Sequence, residues 1–152
     1  MRKKNILIRL VCSFCIFAVS WSAEAAEQYN WVKVWETYGN KGSVTSTYVA
    51  DNSIQYADNY NSARAVSQVV FKWSDSTINS MIDWSEFRLP NQSAVIIACI
   101  NTNKINPNDC TDFRNYGPLN FSTVAIGSDT DRIMDYIWAK IGYKRKRPPG
   151  TG

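Results

Sequence analysis

The chain has 152 residues, of which 45% are hydrophobic and 20% are charged, and its formal net charge is +4. This length predicts one compact domain. The chain contains no histidine, which excludes serine–histidine and cysteine–histidine nucleophile pairs and histidine-ligated zinc.

The first 25 residues have the three parts of a secretory signal peptide. Basic residues at 2–4 precede an apolar run at 6–19, and Ala23-Glu24-Ala25 supplies small residues for cleavage. A membrane anchor is the alternative interpretation, but the run is shorter than the ~20 apolar residues that a bilayer core requires. We therefore expect a cleaved signal peptide over 1–25. The exported protein would be periplasmic, secreted or on the cell surface, without a membrane span after cleavage.

Removal of this segment changes the charge of the protein. The remaining chain has 13 basic and 12 acidic residues. We expect a single domain over 26–143 and a basic tail over 144–152, whose Pro and Gly content is typical of disordered ends. Four consecutive basic residues make the tail a candidate polyanion-binding segment: Lys144, Arg145, Lys146 and Arg147. A solubilising end without a ligand is the other interpretation.

The chain after Asn30 is rich in β-branched and aromatic residues, which predicts an antiparallel sheet of about five to six strands. The expected strands are 31–36, 44–49, 54–56, 65–73 and 93–100, with candidate edge strands at 112–116 and 120–124. Val69, Phe71 and Trp73 alternate with polar residues, so we expect them on a buried face.

Between residues 74 and 90 the pattern is mixed. Ile78, Met81 and Ile82 follow helical spacing, whereas Trp84 and Phe87 lie in a segment that alternates as a strand would. We expect a short helical turn followed by an irregular loop.

Two cysteines remain after cleavage, Cys99 and Cys110. In an exported chain they predict one disulfide, with two free thiols as the alternative. The ring would span about a dozen residues and stabilise the fold by about 3 kcal/mol.

Residues 129–141 predict one amphipathic helix. Ser128 is suited to cap its start, and Gly142 can end it. Its apolar stripe consists of Ile133, Met134, Ile137, Trp138 and Ile141. Core packing explains this stripe better than a partner-binding face, because the sheet needs a cover. The expected fold class is α+β, with one C-terminal helix covering the sheet.

The order of these segments resembles the surface-adhesin protein E family of Gram-negative bacteria. The matching segments are the signal peptide, the Trp-Val-Lys-Val strand at 31–34, the turn at 48–54, the strands at 66–73 and 93–99, and the terminal helix. Two features differ, since that family usually has its second cysteine in or after the helix and is compact where this chain has residues 74–88. The resemblance implies an exported α+β binding domain, with host matrix proteins as ligands of the named member.

Residue patterns for catalysis and cofactors are scarce in the sequence. Carboxylate pairs such as Asp129 and Asp131 lack calcium-loop spacing and suit a helix cap. We expect no enzyme and no cofactor, and instead an adhesin-like binding module. Tyr56 and Tyr60 are further candidate ligand-binding residues, because aromatics among Asn and Ser suit recognition surfaces.

The expected partners are a protein or a polyanion, such as host matrix, lipopolysaccharide or an anionic envelope component. A second copy of the chain is a further candidate, and nucleic acid is not expected. The alternative is that the chain is a periplasmic inhibitor or an envelope-assembly accessory protein. In that role it would bind its partner through the loop of the Cys99–Cys110 ring. A carboxylate enzyme would require two acids in one pocket.

Overall fold

The computed structural model describes residues 29–101 and 110–146; the predicted signal peptide, 1–25, lies outside them. The sheet strands and the helix are β1 (Trp31–Tyr38), β2 (Val44–Ala50), β3 (Gln55–Ala57), β4 (Ser62–Lys72), β5 (Ile78–Arg88), β6 (Gln92–Asn101), β7 (Cys110–Asp112), β8 (Ser122–Thr123) and α1 (Asp129–Ala139). The predicted α+β class is confirmed. The described ranges contribute eight strands to the sheet, more than the five to six expected.

All strand pairs are antiparallel. The main order is β1-β2-β4-β5-β6-β7, while the short β3 pairs with β4 and the short β8 pairs with β6. In the described part of the chain, no helix is long and apolar enough to cross a membrane.

The prediction of a helical turn and an irregular loop within residues 74–90 is wrong, because most of this segment forms the central strand β5. β5 pairs with β4 along its whole length and with β6 on its other side. It has apolar residues on both faces, since Ile82 belongs to one buried cluster and Phe87 to another. A strand used on both faces loses the simple alternation of apolar and polar residues, which hides it in the sequence.

The prediction of an edge strand at 112–116 is also wrong for most of that segment. β7 ends at Asp112, and Phe113–Tyr116 form a 3-10 turn. The Asp112 carboxylate accepts a hydrogen bond of 3.0 Å from the Arg114 amide. Such a side-chain cap stabilises the turn and competes with a strand.

α1 packs on one face of the sheet, which we call the helix-side face. The buried cluster there consists of Val49, Ala63, Ala65, Phe87, Val124, Ile133, Met134, Ile137 and Trp138. The two alanines of β4 have small side chains, so the helix can approach the sheet closely. The core therefore lies between α1 and the adjoining part of the sheet.

The start of α1 agrees with the sequence-based prediction, and its end lies two residues earlier than predicted. Ser128 Oγ accepts a hydrogen bond from the Asp131 amide at 3.2 Å, which confirms the predicted cap. The helix ends at Ala139, two residues earlier than expected, and Gly142 has a φ of +73°. Ile141 of the predicted stripe consequently lies outside the helix and is exposed.

The predicted disulfide between Cys99 and Cys110 is present. The two residues are directly paired across β6 and β7, so the bond joins neighbouring strands. Most of the loop that it encloses, residues 102–109, lies outside the described residues.

Candidate functional site

α1 covers only part of the helix-side face. An 11-residue helix is about 16 Å long, whereas the 11-residue strands β4 and β5 are each about 36 Å long. Beside the first turns of α1, the uncovered face forms a cavity with a volume of ≈ 210 Å³. We call this region the groove. Its lining includes Ser67, Phe71, Met81, Asp83, Val95 and Asp129.

Small residues beside Asp83 create the space of the groove. Asp83 of β5 is paired with Ser67 of β4 on one side and with Ala98 of β6 on the other. Directly paired residues project to the same face of a sheet. Because both neighbours are small, the Asp83 carboxyl borders an open volume rather than a packed layer.

One oxygen of the Asp83 carboxyl is buried without a hydrogen-bond partner. Oδ1 has almost no contact with solvent, and no donor among the described residues satisfies it. The loss of hydration raises the pKa of Asp83 from 3.8 to about 6. The group therefore changes charge near neutral pH, as carboxyls in functional clefts commonly do.

The groove is negatively charged. Asp83 and Asp129 line it, whereas none of the described lysines and arginines does. Asp129 lies in the first turn of α1, where the helix dipole stabilises a carboxylate. The remaining polar groups include the hydroxyls of Ser67, Ser85 and Ser93. Over the described ranges, no three Cys, Asp or Glu side chains are placed to hold a metal ion.

Exposed apolar side chains line the groove or lie beyond it at the end of β4. Phe71 is 36% exposed, and Trp73, just beyond the end of β4, is 52% exposed. The prediction that both belong to a buried face is wrong, because α1 is too short to cover them. Val95 of β6 is likewise exposed. Exposed apolar patches of this kind mark surfaces where ligands or partners bind.

The opposite face of the sheet has arginines whose charge is partly neutralised within the chain. Glu86 is buried and accepts hydrogen bonds from Arg64 Nε and Arg88 Nε, each at 2.9 Å. The Arg88 guanidinium also lies 3.6 Å from the centre of the Phe121 ring. Because these guanidinium groups have internal partners, this face is a weaker candidate for anion binding than the arginines alone suggest.

Tyr56 and Tyr60, both predicted to bind ligand, each form a hydrogen bond with α1. The Tyr56 hydroxyl donates a hydrogen bond of 2.5 Å to Ile137 O, and the side chain packs against the core. Tyr60 is 57% exposed, but its carbonyl accepts a hydrogen bond from Trp138 Nε1 at 2.8 Å. The structure therefore gives both residues a role in holding α1, and neither lines the groove.

Arg145, also predicted to bind ligand, belongs to the folded domain. Its side chain is 1% exposed, and the guanidinium forms ion pairs with Asp131 and Asp135 of α1. Asp131 also accepts a hydrogen bond from the Gly127 amide at 2.8 Å. The prediction that Arg145 lies in an exposed tail is wrong. A guanidinium can be buried when carboxylates pair with it, and α1 supplies them.

The expected domain boundary before Lys144 therefore moves beyond Arg145. Lys144 and Lys146, on either side of Arg145, are exposed, whereas Arg147 lies outside the described residues. The four basic residues thus do not act as one exposed run.

Sequence reasoning missed Asp83. The available signal was a single carboxylate between Ile82 and Trp84, inside a segment of large apolar residues. That signal requires the segment to be a strand, since only then does Asp83 project to the face opposite its two apolar neighbours. If the segment is interpreted as a helix, this sequence signal for Asp83 is lost.

Comparison with protein-family models, with curated proteins and with solved structures finds no match for this chain. The resemblance to the surface-adhesin protein E family stays a prediction.

Proposed function

We propose that this protein is an exported, non-enzymatic binding module, adhesin-like in role, and that the groove is its binding surface. Its ligand would be a component of the host matrix or of the cell envelope. The observation that carries the proposal is the open part of the helix-side face, where exposed apolar side chains share a cavity with a half-buried carboxyl whose Oδ1 has no hydrogen-bond partner.

The exposed apolar side chains contribute little to stability, and the partly desolvated carboxyl reduces it. An exposed phenylalanine or tryptophan gains little from burial, and a buried carboxyl without a counter-ion costs free energy. Natural proteins keep such costs mainly at functional sites. The groove replaces the basic run and the tyrosine pair as the leading surface, because Arg145 and Tyr56 have structural partners.

The test is a binding assay on immobilised host matrix proteins and on lipopolysaccharide. Phe71→Ser removes an apolar wall of the groove and should weaken binding at least tenfold. Tyr116→Ser is the matched control, since Tyr116 is 80% exposed in the 3-10 turn after β7 and does not line the groove. Equal binding by the wild type and Phe71→Ser would contradict the proposal.

The contribution of the basic segment can be tested separately by deleting residues 146–152. This deletion keeps Arg145 and its ion pairs with α1. The deletion removes Lys146 and Arg147 and leaves Lys144 in place. If the removed basic residues attract a polyanion, the deletion should weaken binding mainly at low salt. Loss of binding at every salt concentration would instead favour a direct contact.

A carboxylate enzyme is the second candidate function. One observation favours it: Asp83 and Asp129 line the same cavity, and burial raises the pKa of Asp83 to about 6. Two carboxyls in one cavity can act as general acid and base in hydrolases. Turnover of a glycoside or peptide substrate that Asp83→Asn abolishes would support this candidate over a binding module.

A further inference from the structure

We infer that the groove receives a lysine or arginine side chain from a partner polypeptide, with apolar residues of the partner lying on the surrounding surface. This inference rests on the proposed binding function and names the chemistry of the partner. Its basis is the charge, the burial and the size of the groove.

Charge selects a cation. Both charged residues that line the groove are carboxylates, Asp83 on the sheet and Asp129 on α1. The residues paired with Asp83 across the sheet, Ser67 and Ala98, do not titrate. Asp131, the other carboxylate of the first helical turn, is engaged with Arg145. The groove thus has acceptors for a cation, and the lysines and arginines of the described chain leave them unpaired.

Burial makes a hydrogen-bond donor necessary. Asp83 Oδ1 is shielded from water and has no donor in the described residues. Buried carboxylates in native proteins are paired or hydrogen-bonded in the great majority of cases. An ammonium or guanidinium group in the groove would supply both the charge and the donor.

Size favours one side chain over a whole small molecule. Sites for drug-sized ligands have volumes of about 300–1,000 Å³, whereas this cavity has ≈ 210 Å³. Exposed apolar residues line the cavity at Phe71 and Val95, and Trp73 extends the apolar surface beyond the end of β4. A basic side chain can place its head at the carboxyl and its aliphatic stem along apolar residues. The exposed rings also offer cation–π contacts.

The experiment uses three capped pentapeptides, Val-Leu-X-Phe-Val, in which X is lysine, norleucine or glutamate. Norleucine keeps the aliphatic stem of lysine and removes its charge. Affinities for the full chain are measured by calorimetry at pH 7.5. The lysine peptide should bind at least tenfold more tightly than the norleucine peptide, and the glutamate peptide should bind most weakly.

Two variants locate the contact. Asp83→Asn keeps the shape of the side chain and should reduce the preference for lysine over norleucine to about twofold or less. Asp58→Asn is the matched control, because it removes the same charge in the loop before β4 and should leave the preference unchanged. For the wild type, lowering the pH from 7.5 to 5 protonates Asp83 and should reduce the preference in the same way as Asp83→Asn.

The outcomes separate this inference from the proposed function. If the lysine and norleucine peptides bind equally and Phe71→Ser weakens both, the groove is a docking surface without cation selectivity and the inference is wrong. If no peptide binds, the inference is also wrong, and the host-matrix assay alone decides the proposed function. If only a chain shortened after Lys146 binds the lysine peptide, the chain's own basic end is the occupant, which overturns the partner assignment.

Discussion

The two parts of the helix-side face belong to the same strands but have different surroundings. In the covered part, β4 presents Ala63 and Ala65 to α1, and β5 presents the fully buried Phe87, which also lines the inner end of the groove. Further along the same face, β4 presents Ser67 and Phe71 to an open groove. Small residues allow the helix to approach, and the larger exposed residues begin where the cover ends. One strand can therefore be buried in the core at one end and border an open groove at the other.

Two carboxyls, the buried Asp131 and the half-buried Asp83, show the same difference. Asp131 in α1 has the Gly127 amide and Arg145 as partners, so its environment is completed within the chain. Asp83 in the groove has an oxygen without such a partner, and burial raises its pKa to about 6. The carboxylate in the covered part thus has a cationic partner within the chain, whereas Asp83 has none among the described residues.

The largest expected effect comes from one substitution made in each part. Phe87→Ala should lower the free energy of unfolding by about 4 kcal/mol, since it leaves a cavity in the core. Phe71→Ala, on the same face but 36% exposed, should cost about 1 kcal/mol. Urea denaturation measures both. Equal losses would mean that the groove is part of the core.

The next effect tests the ion pair that completes the covered part. Arg145→Met should lower the free energy of unfolding by about 3 kcal/mol, because it leaves the buried Asp131 carboxylate without its guanidinium. Lys146→Met, at the exposed neighbouring position, should change it by about 0.5 kcal/mol or less. If the two variants were equally stable, Arg145 would belong to an exposed tail after all.

The smallest effect concerns Asp83 and depends on pH. Because the folded-state pKa, about 6, lies above the ordinary value of 3.8, the folded state binds more protons between these values. Asp83 therefore costs no stability below about pH 4. Its cost to the free energy of unfolding grows as the pH rises from about 4 and is complete once the pH has passed through about 6. Asp83→Asn should be about 2 kcal/mol more stable than the wild type at pH 7.5.

The free energy of unfolding is measured over the pH range for the wild type and for Asp83→Asn. Their difference cancels the titration of the other carboxyls, which both proteins share. Glu36 titrates in the opposite sense, since hydrogen bonds, first from Lys33, lower its pKa to about 2. A constant difference between wild type and Asp83→Asn from pH 4 to 7.5 would show that Asp83 keeps an ordinary pKa.

Local signals allowed the sequence to predict α1 and the disulfide. The Ser128 cap and the stripe from Ile133 to Trp138 act within a few residues of one another. The pairing of Cys99 with Cys110 followed because they were the two cysteines left after the expected cleavage. These features need no knowledge of the rest of the fold.

The groove could not be predicted, because it depends on contacts between distant segments. Ile78, Met81 and Ile82 imitate helical spacing, and only pairing with β4 and β6 defines β5 as a strand. Arg145 reads as part of a basic run until α1 brings two carboxylates beside it. Both errors arise from judging a charge or a spacing by its neighbours in sequence.

The contact between Arg145 and α1 also affects the order in which the domain can be completed during synthesis. The strands lie between residues 31 and 123, whereas the helix and its arginine partner lie between 129 and 145. A growing chain therefore lacks the helix that covers its apolar sheet face until residues 129–139 have been added, and the Arg145 ion pairs follow later still. A chain interrupted before residue 129 would leave Ala63, Ala65 and Phe87 without the helix residues that bury them.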